Sequence, residues 1–188
     1  MESEEELIRA FIAIRFPDEV IREVARVQEE VGKWKFTGKM TELENLHLTL
    51  KFLGEIDAEK VKEVEKRLGG IKLETMKLKL GKIGAFHILG KPRIVWIKIE
   101  GKEIWELQKK VDDALEGIFK REERFMSHLT IARLKYVKDK KGFDEYIKGV
   151  GIKDISFRVE DFYLMRSELL YLGPSYNIIK EYGGKYRK

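Results

Sequence analysis

The sequence predicts a mixed fold of strands and helices in two similar halves, packed about a pseudo-twofold axis with a cleft between them. Three observations carry this. The order strand, helix, strand, helix, strand occurs twice along 188 residues. A His-Leu-Thr-Leu core at His47-Leu48-Thr49-Leu50 returns as His128-Leu129-Thr130-Ile131, 81 residues later, close to the 84 that separate Arg9 from Arg93 on the two opening strands. Around the first copy, Leu46, Leu48, Leu50 and Phe52 fall on one parity and His47, Thr49 and Lys51 on the other, the period-two signal of a strand with one buried face. Equivalent strands of two such halves face each other, which brings both His-Thr pairs to one cleft. The halves are read as 7–90 and 91–168, with a hairpin at 169–182 added to one of them.

The elements follow in order. Leu7 to Phe16 is apolar and β-prone, a central strand closed by Pro17-Asp18. Val20, Val24, Val27 and Val31 form one helical stripe, with Asp18 as its expected cap and Gly32 at its stop. Lys33 to Lys39 alternates basic and aromatic residues before the first histidine strand. A second helix starts at Asp57, carries Val61, Val64 and Leu68 inward, uses Ile56 as a staple onto Val61, and ends at Gly69-Gly70. Ile71 to Ile83 alternates again, and Gly81, Gly84 and Gly90-Lys91-Pro92 are expected to break the remainder of this half into strand and loop.

The second half opens with a strand from Arg93 to Ile99. Ile104, Leu107, Val111, Leu115 and Ile118 then form a helical stripe before the His128 strand. A short helix near Phe143, Tyr146 and Ile147 precedes a strand from Ile155 to Leu164. Gly183 to Lys188 is expected to fray.

Composition bounds the function. With 43% hydrophobic residues the chain can bury a core, which excludes a disordered protein. The balance of 38 basic against 33 acidic residues, +5 in all, mildly favours a polyanionic partner. Cysteine is absent, so disulfides and thiolate chemistry are excluded. The stretch Met1-Glu2-Ser3-Glu4-Glu5-Glu6 is acidic where a secretory signal is basic, and no apolar run reaches membrane-spanning length. A cytoplasmic protein without membrane attachment is therefore expected.

Two converging imidazoles supply a general base and a general acid, because the ring titrates near pH ~6.5. Displacement at phosphorus needs both: one group deprotonates the attacking oxygen and the other protonates the departing one. Thr49 and Thr130 would lie beside the rings as donors to the nonbridging oxygens. Arg133 could clamp a phosphate, but a regular strand puts it on the face opposite His128, so the role needs a bulge. Lys51 has the better parity, yet Ala132 occupies its counterpart position.

The paired HxTx motifs in NLHLTLKFLGE and SHLTIAR resemble the 2H phosphoesterase superfamily. Within it they resemble the LigT-like RNA 2′,3′-cyclic phosphodiesterases long called 2′-5′ RNA ligases. The similarity extends to RAFIAIRFPDEV, GKPRIVWIKIEG and FRVEDFYLMRSELLYLGPSYNIIKEY, so it covers nearly the whole chain in order. It implies a single bilobal α+β domain with antiparallel sheets lining a basic groove and helices outside. The implied activity is hydrolysis of RNA 2′,3′-cyclic phosphate ends to 2′-phosphate, with reversible, ATP-independent 2′-5′ joining. By motif position His47 would be the acid on the 3′ oxygen and His128 the base on water. Thr49, Thr130 and Arg133 would hold the phosphate. The expected partner is RNA with a cyclic phosphate end, such as tRNA halves; the protein is expected to be a monomer and to need no cofactor.

Other readings compete. One HxTx is a weak pattern, and a lone strand histidine is more often structural; duplication is what favours catalysis. His87 has no repeat partner and is read as a loop residue. A metal site from the three histidines lacks any close-spaced ligand pair. Trp34 or Phe36 could stack RNA bases, against the alternative of half-buried aromatics in a hairpin. Phe11 is a candidate base contact, although an aromatic there is more often core. A small cyclic nucleotide or ADP-ribose cyclic phosphate could replace RNA as substrate, and a noncatalytic RNA-end binder is the reading from another class.

Overall fold

The structure, a computed structural model, describes residues 7–171 and 173–184. The acidic stretch 1–6, Leu172 and the terminal 185–188 lie outside the described residues, and with them the expectation of a frayed end beyond Gly184. Gly183 itself is paired, opposite Asp161.

In the first half β1 (Ile8–Ile14) leads into α1 (Asp18–Gly32), whose four valines are fully buried. Asp18 does not cap this helix. Pro17 occupies that position, and Asp18 is the first helical residue, where its charge meets the positive end of the helix dipole. Then come β2 (Phe36–Met40), a 3-10 turn (Leu43–Asn45), β3 (Leu48–Ile56), α2 (Ala58–Leu68) and β4 (Met76–Ile88). Asp57 caps α2, accepting from the Lys60 amide at 2.7 Å.

The second half runs β5 (Lys91–Glu100), α3 (Lys102–Ala114), β6 (His128–Val137), α4 (Lys140–Gly149), β7 (Ser156–Val159), β8 (Asp161–Leu170) and β9 (Gly173–Gly183). Several boundaries differ from expectation, among them the end of α3, which leaves Leu115 and Ile118 of the expected stripe beyond the helix. β4 runs unbroken through Gly81 and Gly84, so His87 is a strand residue and not a loop residue. The span Ile155 to Leu164 is two strands, because the chain leaves one sheet at Glu160 and enters the other.

All strand pairings are antiparallel, in two sheets of order β3-β1-β8-β9 and β2-β6-β5-β4-β7. Each sheet includes strands of the other half, β8 and β9 in the first sheet and β2 and β4 in the second. β4 joins the second sheet because only Leu89-Gly90, both at positive φ, separate the closing pair Ile88↔Lys91, and a two-residue turn of that kind returns the chain onto its own strand. β8 in turn pairs with β1. Gly38 of β2 is required by close approach, since a Cβ there would lie 2.4 Å from the Arg133 carbonyl oxygen on β6.

The helices cross over too. Gln28 of α1 donates to the Ile131 carbonyl of β6 at 2.8 Å, and Asp112 of α3 accepts from Lys51 of β3 at 2.5 Å. Among the described residues no helix is long and apolar enough to cross a membrane.

Candidate active site

His47 stands immediately before β3, between buried Leu46 and Leu48, and His128 opens β6, between buried Ser127 and Leu129. Alternation turns His47 with Thr49, and His128 with Thr130, away from the core into one cavity of about 480 Å3 between the sheets. Arg133, Phe11, Phe52, Asn45 and Tyr176 share its lining.

A bulge follows each threonine. In the β1–β3 register Ala13 pairs with Thr49 and Ile12 with Lys51, so Leu50 has no partner and both Leu50 and Lys51 face the core. In the β5–β6 register Trp96 pairs with Thr130 and Val95 with Ala132, so Ile131 is the extra residue. Each bulge reverses the parity beyond it. Arg133 thereby reaches the groove, and its pseudo-equivalent is Phe52, which is 67% exposed.

Lys51 is therefore not at an RNA-facing position. It is 4% exposed, paired with Asp112 and bonded to the Lys120 carbonyl on the far side of the sheet. Burial alone would raise the Asp112 carboxyl. Hydrogen bonds from Lys51, Gln108 and the Glu122 amide outweigh that and hold it below its usual range. Removing one member of a buried pair strands the other charge. Lys51→Ala is expected to cost about 3–5 kcal/mol in urea unfolding, much of it recovered in a Lys51→Met, Asp112→Leu double variant. A loss under about 1 kcal/mol would show the pair to be incidental.

Trp34 is also absent from the cavity. Its ring packs against Tyr146 at 5.2 Å and Phe143 at 6.3 Å, on α4, from the bend between α1 and β2. Phe36 packs on Phe143 beside it. Phe11 does face the cavity, 2% exposed, with its ring 5.0 Å from His47. His87 meets Asp144 at 2.9 Å near the end of β4, away from the other two histidines. Among the described residues no three His, Asp or Glu side chains come together as metal ligands would.

The two rings are held alike. Nδ1 of His47 donates to the Asn45 carbonyl at 2.7 Å, and Nδ1 of His128 to the Met126 carbonyl at 2.6 Å. A carbonyl only accepts, so Nδ1 carries the proton and Nε2 is the nitrogen available to the cavity. Burial lowers both imidazoles from their ordinary value, more than the carbonyl bonds raise them. Arg133 lowers both further, and His128 adds to the effect on His47. Both rings of the free protein are therefore neutral at neutral pH.

A family model described as LigT like phosphoesterase matches the chain twice, over residues 14–96 and 98–176. The chain belongs to that family. Among curated members, the RNA 2′,3′-cyclic phosphodiesterase of Methanocaldococcus jannaschii is 36% identical over 180 residues, covering 93% of this chain and 100% of that protein. The protein of the same name from Aquifex aeolicus is 33% identical over 187 residues, covering 94% and 97%. Of solved structures, TT0787 of Thermus thermophilus superposes with a TM-score of 0.81 at 27% identity, covering 94% of this chain and 97% of its own. Escherichia coli LigT complexed with 3′-AMP does so at 0.73 and 26% identity, covering 96% and 99%.

In this LigT like phosphoesterase several residues around the two rings escape a reading of the motifs. Tyr176, from β9, stands edge-on to His47 at 4.9 Å, and Phe86, from β4, edge-on to His128 at 5.0 Å. Both come from strands remote in sequence, so no local pattern announces them. Asn45 had a signal, its place two residues before His47. Its carbonyl accepts from that ring while its buried amide donates to the Pro174 carbonyl at 2.9 Å, tying β9 to the histidine's approach. The lining is chemically lopsided. Phe11, Phe52 and Tyr176 line the cavity on the His47 side, whereas on the His128 side Ile94 and Arg133 stand at the positions equivalent to Phe11 and Phe52, and Phe86 meets the ring from outside the lining.

Proposed function

We propose that this protein hydrolyses RNA 2′,3′-cyclic phosphate ends to 2′-phosphate by acid–base catalysis between His47 and His128, with no metal required. The observation that carries the reading is the matched pair of imidazoles. Both expose Nε2 to one cavity, both are locked at Nδ1, and both lie beside a threonine and within the field of Arg133. The names of the curated relatives and the 3′-AMP complex of the Escherichia coli protein support the substrate class.

The lopsided lining supports a division of labour. In a 2′,3′-cyclic phosphate the departing 3′ oxygen belongs to the nucleoside, so the acid works on the nucleoside's side and the base on the opposite side of phosphorus. The aromatic wall suits a nucleoside and surrounds His47. His128 takes a proton from water as its oxygen attacks phosphorus, the 3′ P–O bond breaks, and His47 protonates the leaving 3′ oxygen. Thr49, Thr130 and Arg133 donate to the nonbridging oxygens. A 5′-hydroxyl in place of water gives a 2′-5′ linkage by the same transfers, driven by the strained ring, without ATP.

A bound phosphodiester anion favours the imidazolium, so the acid's pKa rises on binding. The bell for kcat/KM, which reports the free enzyme, is expected to centre below pH ~6.5, and the bell for kcat to shift upward. A kcat/KM bell centred above that value would contradict the reading.

Cavity volume favours one alternative: about 480 Å3 holds little beyond one nucleotide, so a small nucleotide cyclic phosphate also fits. The deciding assay presents RNA bearing either a 2′,3′-cyclic or a linear 3′-phosphate end, in chelator and without ATP, with a mononucleotide cyclic phosphate in parallel. Turnover of cyclic ends alone, to 2′-phosphate, is expected. Attack on the linear ester, a 3′-phosphate product or strict metal dependence would overturn the mechanism. tRNA halves as the RNA, and a monomer as the working unit, belong to the same proposal and are tested by substrate competition and sedimentation.

A further inference from the structure

The cavity takes up a chain terminus and leaves the rest of the polymer to find its own path. On the first sheet the lining residues Ser167 and Tyr176 are register partners, and the next pair on the same face is Leu169↔Pro174, followed by the turn after Leu170↔Gly173. At this tip Leu169 is 77% exposed, Leu170 58% and Tyr171 103%. A contiguous run of apolar side chains in water that begins at the rim of a site is a docking surface in search of its occupant. The apolar run from Leu169 to Tyr171 extends about 7 Å, the length of about two stacked bases at ~3.4 Å each, and its end lies about 13 Å from the rim at Ser167.

We propose that this hairpin tip, with Leu169 on the cavity's face and Leu170 and Tyr171 leading into the turn, is the ledge on which the single-stranded body of the RNA substrate stacks as it leaves the cavity. The inference rests on the reading of the cavity given above. Its direction follows from the aromatic wall. A terminal nucleoside held against Phe11, Phe52 and Tyr176 lies on the first-sheet side, so its 5′ continuation departs along that sheet, across Arg9 and Ser167, to Leu169 and Tyr171. Arg9 lines this route and supplies charge for the phosphates, while the tip supplies faces for bases, the combination by which single strands are held without sequence preference. The other exposed apolar tip, Ile88 and Leu89 at 59% and 93% exposure, belongs to the second sheet and lies off this path.

The test compares kcat/KM for a mononucleotide 2′,3′-cyclic phosphate with that for a pentanucleotide carrying the same end. Substituting Leu169→Ser, Leu170→Ser and Tyr171→Ser together is expected to lower the pentanucleotide value about 5- to 100-fold while the mononucleotide value stays within about 2-fold. Leu89→Asn is expected to leave both unchanged. Equal loss on both substrates, or no loss on the pentanucleotide, overturns the ledge while the cavity reading stands. If the unaltered protein turns over neither substrate, the cavity reading fails and takes the ledge with it. A dimer in sedimentation that the triple variant converts to a monomer would assign the tip to a second copy of this chain and overturn the proposal.

Discussion

His47→Ala and His128→Ala are each expected to lower kcat for cyclic-phosphate cleavage by about 10²–10⁴-fold, and the double variant to be little worse than the poorer single. In the proposed mechanism the two proton transfers belong to one displacement, so losing either stops the concerted step and the second loss finds little left to remove. Neither ring holds the core together. Each emerges from its strand with Nδ1 bonded to a local carbonyl, and the flanking Leu46, Leu48 and Leu129 stay packed. Unfolding midpoints should therefore barely move while turnover collapses. Near-normal turnover in either single variant, or losses that multiply in the double, would remove the paired mechanism.

Arg133→Met is expected to lower kcat/KM by about 10²–10³-fold, the scale of deleting one fixed donor to a developing oxyanion. It carries a second signature. Arg133 depresses both imidazoles, so without it both pKa values rise and the kcat/KM bell moves to higher pH. Arg133→Lys keeps the charge and loses the planar fork; it should hold the pH profile and recover only part of the rate. A Met variant with an unshifted bell would show that the guanidinium does not act on the rings, whatever its effect on rate.

The equivalence of Phe52 and Arg133 gives these predictions a common origin. Two His-Thr pairs line one cavity, which suits a displacement with one proton moving on each side of phosphorus. A symmetric site has no preferred polarity for its substrate. The residue after each bulge breaks the tie, aromatic in one half and cationic in the other. The bulges are braced by buried polar groups from the opposite half: Gln28, which bonds both the Thr41 and Ile131 carbonyls, and Asp112, which holds Lys51.

The sequence alone determined the two strands, their inward leucines, the convergence of His47, Thr49, His128 and Thr130, and the order of helices, because these depend on local periodicity and on a repeat visible along the chain. It left Arg133 conditional on a bulge, and gave Lys51 the better parity but no counterpart in the second strand. Tertiary structure decided otherwise on Lys51 and brought Arg133 into the groove. Which residue a bulge skips depends on the strand opposite and on side chains such as Asp112, 61 positions away, and period-two alternation carries no information about either. The same holds for Trp34 and Tyr176: one looked like a nucleic-acid contact and packs on α4, the other had no pattern around it and meets His47. Only the pairing of strands from different halves, β9 beside β8 in the first sheet, decides which distant aromatic reaches the cavity.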